Sequence, residues 1–295
     1  MLRLALRAAL VLSAATLGAQ RVPGRDLLTY PLGLSGEAAA FGAGAASGLW
    51  NPATALLGTN ERARLAAGAL NAPIVLGLTA QVFHGAIRKP IGTLSLSVAR
   101  ASVADLVHTE TDPQSVGNDI AYHTWVVSIG LARRTSRHVT AGVALRWHSG
   151  HVFDHKGSAL ATDAGVVFDR LTSRDLRIAL SGFLWTINAN EPPTLFAAAD
   201  LRVAGRDSLR AVRAGLGMAQ TRGATTEWYP FVDGRAGKVS LRGGPVRTDA
   251  YGSQTWHFRF AILLRHAGYT IGVVREDNAN GLAPTYQMSV ANAFR

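Results

Sequence analysis

The 295-residue chain contains no cysteine. Disulfides therefore contribute nothing to its stability, and thiol nucleophiles and thiolate metal sites are excluded. Charge is scarce too, at 17% of residues. After the N-terminus no run approaches the roughly 18 apolar residues of a membrane-crossing helix. Disorder does not fit, because 48% of the residues are apolar. A soluble helical domain does not fit either, because helix-period runs are scarce. The net charge of +11 comes from scattered arginines. They do not form the clustered patch of a nucleic-acid binder. Solvated rims, a polar lumen or contact with anionic lipid headgroups suit that charge better.

The chain opens MLRLALRAALVLSAATLGAQ, with Arg3 and Arg7 ahead of an apolar stretch over residues 8–17. Small residues Gly18 and Ala19 follow. This is the layout of a cleaved signal peptide, and it predicts export with residues 1–19 removed. An exported chain without an apolar helix can still enter a membrane as a β-barrel.

From about residue 62 the dominant hydrophobic period is two. Trp125, Val127, Ile129 and Leu131 share one face, and Thr124, Ser128, Gly130 and Ala132 the other, with Val126 an exception. Val139, Ala141, Val143, Leu145 and Trp147 repeat the pattern after a short link. So do Trp256, Phe258, Phe260, Ile262 and Leu264. About fourteen such strands are expected, each near the ten residues that a tilted strand needs to cross a bilayer. The second face is rich in Gly, Ala, Ser and Arg, which suits a crowded lumen. Aromatics near strand ends (Trp125, Trp147, Trp185, Tyr269, Tyr286) suit interfacial girdles. Links 102–120 and 149–157 read as long, and 134–137, 171–175 and 266–268 as tight. The C-terminal Tyr286, Met288, Val290 and Phe294 alternate, interrupted by Asn292 and followed by Arg295. The expected fold is all-β: an antiparallel transmembrane β-barrel over residues 62–295, in a bacterial outer membrane.

Residues 20–61 do not alternate. They include GEAAAFGAGAASGLWNPATALLG, which has no charge after Glu37. Fourteen strands enclose more space than wall side chains fill, so this Gly/Ala-rich segment is expected as a lumenal plug. Pro52 is well placed to open a helical turn, with Ser47 or Asn51 as its cap.

The stretch FGAGAASGLWNPATALL resembles the N-terminal segment of FadL-type outer-membrane proteins and of the related PorV and PorQ proteins. Trp50, Asn51, Pro52 and Ala53 match their aromatic-Asn-Pro-Ala motif. Thr54-Ala55 stands where the family has Gly-Leu, and Ala45-Ala46-Ser47 replaces acidic residues that often precede the motif. The resemblance implies a fourteen-stranded barrel with a lumenal hatch. It also implies one of two roles: a route for small hydrophobic ligands, or a site for secreted or periplasmic protein partners.

The residues themselves suggest three kinds of chemistry. His148, His151, Asp154 and His155 could ligate a divalent ion, but their spacing fits no standard motif. Ser149, His151 and Asp154 are the residues a lipid-directed hydrolase would draw on, without a Gly-x-Ser-x-Gly elbow. Arg146, Arg213, Arg259, Asp163 and Asp200 fall on polar strand faces and are expected to face the lumen, pairing there or forming an anion-preferring constriction. No enzyme activity, bound metal or cofactor is expected; outer-membrane lipid is the expected surrounding.

Overall fold

The computed structural model describes residues 22–29, 32–73, 77–104, 120–186, 193–205, 210–221, 223, 225–250, 252–278 and 283–295. The predicted signal peptide and most of the 102–120 link lie outside them.

The chain forms a closed antiparallel barrel of fourteen strands in sequence order. The strands are β1 Ala63–Asn71, β2 Leu78–Lys89, β3 Gly92–Val103, β4 Tyr122–Arg134, β5 Val139–Val152, β6 His155–Phe168 and β7 Arg177–Thr186. The second half comprises β8 Thr194–Ala204, β9 Arg210–Thr221, β10 Thr225–Ala236, β11 Val239–Ala250, β12 Ser253–His266, β13 Tyr269–Glu276 and β14 Thr285–Phe294. The seam joins the ends of the chain, from Ala63↔Phe294 to Asn71↔Tyr286. Closure leaves no unpaired edge, which a lipid environment requires.

The period-two pattern sets the faces. Leu65, Ile129, Trp185, Trp256 and Met288 are each about 60% exposed or more on the outside. A belt of that apolarity has no stable place in water and matches a bilayer core. Inward positions are small or polar, such as Ser95, Ser97, Ser128, Gly142 and Ala144. Val126, the exception in β4, faces in as well, fully buried in an apolar cluster inside the ring.

The two rims differ. One carries both seam ends and links as short as those after Lys89, Ala236 and His266. The other carries the longest link, residues 104–121. Outer-membrane barrels keep short turns at the periplasmic rim and long loops outside, so we call these the turn rim and the loop rim. Trp125, Trp147, Trp185, Trp228 and Trp256 all face outward in the halves of their strands nearer the loop rim. Tyr286 joins them, while Tyr269 sits at the turn rim.

Two expectations need correcting. The 149–157 link is not a loop: β5 runs to Val152, β6 starts at His155, and Phe153-Asp154 is a tight turn with Phe153 at φ 52°. The polar SGHVFDHKG composition masks strand pairing such as His151↔Lys156. The glycines and proline of Gly243-Gly244-Pro245 suggest a strand end in the sequence, yet β11 runs through them to Ala250. Proline has no N–H for the ladder, and pairing with β10 lapses between Trp228↔Arg247 and Val232↔Gly243, around Pro230 and Pro245.

A closed barrel should resist SDS until heated. Unboiled protein is expected to migrate apart from boiled protein on a gel, and identical mobility would contradict closure.

Candidate functional site

The N-terminal segment, described over residues 22–29 and 32–61, packs inside the ring as short 3-10 turns. Its path begins near the loop rim, where Pro23 lies against Gly150, and ends at the turn rim, where Arg62 pairs with Phe294. Proline and frequent glycine prevent a long helix here, so each turn needs its own local support.

The Pro52–Ala55 turn has the firmest support. Asn51 caps it: its Oδ1 accepts from Ala53 N at 3.0 Å, and its Nδ2 donates to Ala40 O at 2.8 Å. Pro52 occupies the first turn position. Thr54 Oγ1 accepts from Gly48 N at 3.0 Å and donates to Asn51 O at 2.9 Å, closing the loop on itself. Trp50 points the other way. Its Nε1 donates to Leu32 O at 2.9 Å, and its ring meets Phe183 at 4.9 Å and Phe196 at 5.7 Å between centroids.

Wall side chains hold three consecutive backbone carbonyls of this segment. Arg146 Nη2 donates to Gly48 O at 3.3 Å and also to Leu49 O. Ser181 Oγ donates to Trp50 O at 2.8 Å. The Arg146 Nε donates to Asp163 Oδ2, and the guanidinium lies 4.7 Å over the Phe183 ring. Asp163 Oδ1 in turn accepts from Leu184 N at 2.7 Å. Leu184 stands at φ 55°, in an irregularity where β6 and β7 shift register between Thr162 and Ala164. That shift turns both Phe183 and Leu184 inward, against strict alternation. A strained backbone thus sets the aromatic floor on which Trp50 and Arg146 both rest.

Further ion pairs tie the lumen together. Asp200 is clasped by Arg213 at 2.6 Å and by Arg177, and Arg213 reaches Asp175 at 2.8 Å. Arg242 bridges Glu37 at 2.7 Å and Asp233 at 2.8 Å. Glu37 anchors the N-terminal segment by accepting from Ser35 N and Ala43 N, both at 2.9 Å. Arg259 holds Glu276 through two 2.9 Å bonds and Glu227 at 3.3 Å, beneath the Tyr229 ring. Tyr229 Oη donates to Gly36 O at 2.8 Å.

The structure therefore places Arg146, Asp163, Asp200, Arg213 and Arg259 on inward faces and brings Arg146, Asp163, Trp50 and Asn51 into one neighbourhood. Sequence reasoning missed Glu37, Arg177, Arg242 and Glu276. The same parity argument reaches three of them: Arg242 shares its face with Ser240 and Gly244, Arg177 with Ala179 and Ser181, and Glu276 with Val274. The histidine cluster is not brought together. His148 faces in, where its Nε2 meets Thr124 Oγ1 at 2.8 Å, while Ser149 and His151 face out and Asp154 lies in the turn. Among the described residues no group of His, Asp and Glu is arranged to hold a metal. Ser149, His151 and Asp154 do not form a triad.

A cavity of about 650 Å³ lies at the turn rim, between the N-terminal segment and the inner face of β11 to β14 and β1. Arg64, Arg242, Arg265 and Lys238 line it, with Glu37 and Glu61.

The barrel leaves little room for side chains where the turn touches it. A β-carbon at Gly165 would collide with Asn51 Oδ1, and one at Gly142 with the Pro52–Ala53 peptide. Gly165→Leu is expected to push the turn off the wall. The absence of cysteine makes this readable: Ala53→Cys, buried at 2% exposure, should resist a maleimide in the parent barrel and react once Gly165→Leu is added. Equal reactivity would mean the turn is not held there.

No protein-family model matches the chain, and a search of curated proteins finds no match. Among solved structures it is similar to the CymD monoaromatic hydrocarbon channel, with TM-score 0.61 and 12% identity over 93% of this chain and 97% of that one. What the two share is the barrel fold. A TodX monoaromatic hydrocarbon channel mutant lacking S2 and S3 aligns at TM-score 0.57 and 10% identity, over 85% of this chain and 94% of that one. A TodX mutant lacking S2 aligns at 0.51 and 11%, over 89% and 100%. At these identities the likeness shows the fold alone, a closed antiparallel barrel, and the wall contacts above are this chain's own.

Proposed function

We propose that the protein is an outer-membrane channel for small apolar molecules, exported by removal of residues 1–19 and plugged by residues 20–61. The observation that carries this reading is the filling of the mid-lumen. Leu32, Leu49, Trp50, Phe183 and Phe196 meet there, and the nearby charges are consumed in holding the plug. A water-filled pore presents free polar groups to its solute; this lumen offers apolar surface to a molecule that can slip beside the plug. Similarity of fold to hydrocarbon channels supports the same reading. No reaction chemistry is part of it.

Uptake tests it. Cells without a hydrocarbon channel of their own, expressing this chain, should accumulate a labelled monoaromatic hydrocarbon faster than vector controls. A hydrophilic sugar of similar size should gain nothing. Equal gains for both would make the barrel an aqueous pore and sink the proposal.

A further inference from the structure

The lipid-facing surface at the loop rim is uneven in charge. On β11 and at the end of β13 the outward cations there have a carboxylate beside them: Arg247 pairs with Asp249 at 3.1 Å and Arg275 with Asp277 at 3.0 Å. Strands β3 to β6 differ. Arg100, His123, His151 and Lys156 face outward near their loop-rim ends. Register places them side by side: His123 opposes His151, His151 opposes Lys156, and Arg100 opposes Trp125, two positions from His123. The two imidazoles meet edge to face at 5.3 Å. Asp154, in the adjoining turn, pairs with none of the four, and among the described residues none is ion-paired.

Depth gives the patch its meaning. Trp125 and Trp147 lie on the same outward face and mark where apolar chains give way to headgroups. Arg100 lies 5.2 Å over the Trp125 ring, so its charge sits at that boundary. Ser102, Ser149 and Ser158 add hydroxyl donors between the cations. Adjacent strands are about 4.8 Å apart, so Arg100 and Lys156, with the two imidazoles between them, span roughly 14 Å, the scale of a lipid headgroup rather than of a small ion. Two cations and two imidazoles thus face lipid with no carboxylate paired to them among the described residues, an arrangement that suits an anionic headgroup.

We propose that this patch binds the phosphate of an anionic lipid headgroup in the outer leaflet, fixing one lipid against β3 to β6. The site is independent of the lumen and of what passes through it.

Native mass spectrometry of the full barrel in detergent tests this, with phosphatidic acid and phosphatidylcholine of matched chains as probes. The parent should retain phosphatidic acid in preference to phosphatidylcholine. Arg100→Gln/Lys156→Gln should weaken that retention roughly 20- to 30-fold, at about fivefold for each cation lost. Arg100→Lys/Lys156→Arg should restore it, and Arg247→Gln/Asp249→Asn, elsewhere on the rim, should leave it unchanged. Millimolar inorganic phosphate should not displace the lipid; displacement would make this a simple anion site and overturn the lipid assignment. Equal retention of both lipids, or retention that survives Arg100→Gln/Lys156→Gln, would overturn the proposal outright.

Discussion

Deleting residues 22–58 is expected to turn the barrel into a leaky pore. In the folded protein this segment supplies Trp50, Leu32 and Leu49 to the lumen and occupies the cross-section beside Gly142 and Gly165. Eight strands can be filled by wall side chains and sixteen leave an aqueous channel. Fourteen strands with small inward residues fall nearer the second case. Sugar influx into proteoliposomes should therefore rise at least roughly tenfold over the intact chain, given that geometry. Unchanged influx would mean that the wall collapses inward, or that the segment gates nothing. The wall itself should persist, since its ladder closes β1 on β14 without the deleted residues.

The second large effect concerns Arg146. Its guanidinium is fully buried, and it is the link between Asp163 in the wall and the Gly48 and Leu49 carbonyls of the segment. Arg146→Met removes one charge and strands the other. Breaking a buried pair in this way costs about 3–5 kcal/mol. The midpoint of guanidinium unfolding in detergent should fall accordingly. Arg146→Met/Asp163→Asn should recover most of that loss, because the stranded charge disappears while the asparagine oxygen can still accept from Leu184 N. Leak should not recover in the double variant, since the carbonyls lose their donor in both. If stability and leak recover together, the pair acts on the wall alone and does not hold the segment.

Much of the wall was legible because its physics is local. In a strand such as 254–265 every second residue meets lipid, and Trp256 to Leu264 state this without reference to any neighbour. Composition misled at the ends of strands. The histidines and serines of 148–158 suit a loop, yet they alternate faces in a tight hairpin, so a cluster in sequence is split across two surfaces. The mid-lumen was legible only in part. Asn51 and Pro52 announce a capped turn because cap and turn are neighbours in sequence. The β6–β7 irregularity is different: Phe183 and Leu184 read as ordinary alternation, and the reason they both turn inward is Asp163, some twenty positions earlier. Likewise nothing near Glu37 identifies Arg242 as its partner.

The seam has a consequence for the order of assembly. Gly33 N donates to Gln287 Oε1 at 3.2 Å, and Ser35 meets Ser289 at 2.9 Å, each across 254 residues of sequence. The same last strand closes the ring against β1. The earliest folded residues of the chain thus wait for nearly the latest, and contacts of such separation form slowly. With the segment inside the ring and tethered at β1, we expect the barrel to shut around it rather than be stoppered afterwards. Refolding is therefore expected to end in a slow phase limited by β14 docking, and deleting residues 22–58 should speed that phase if the segment is already in place when the ring shuts.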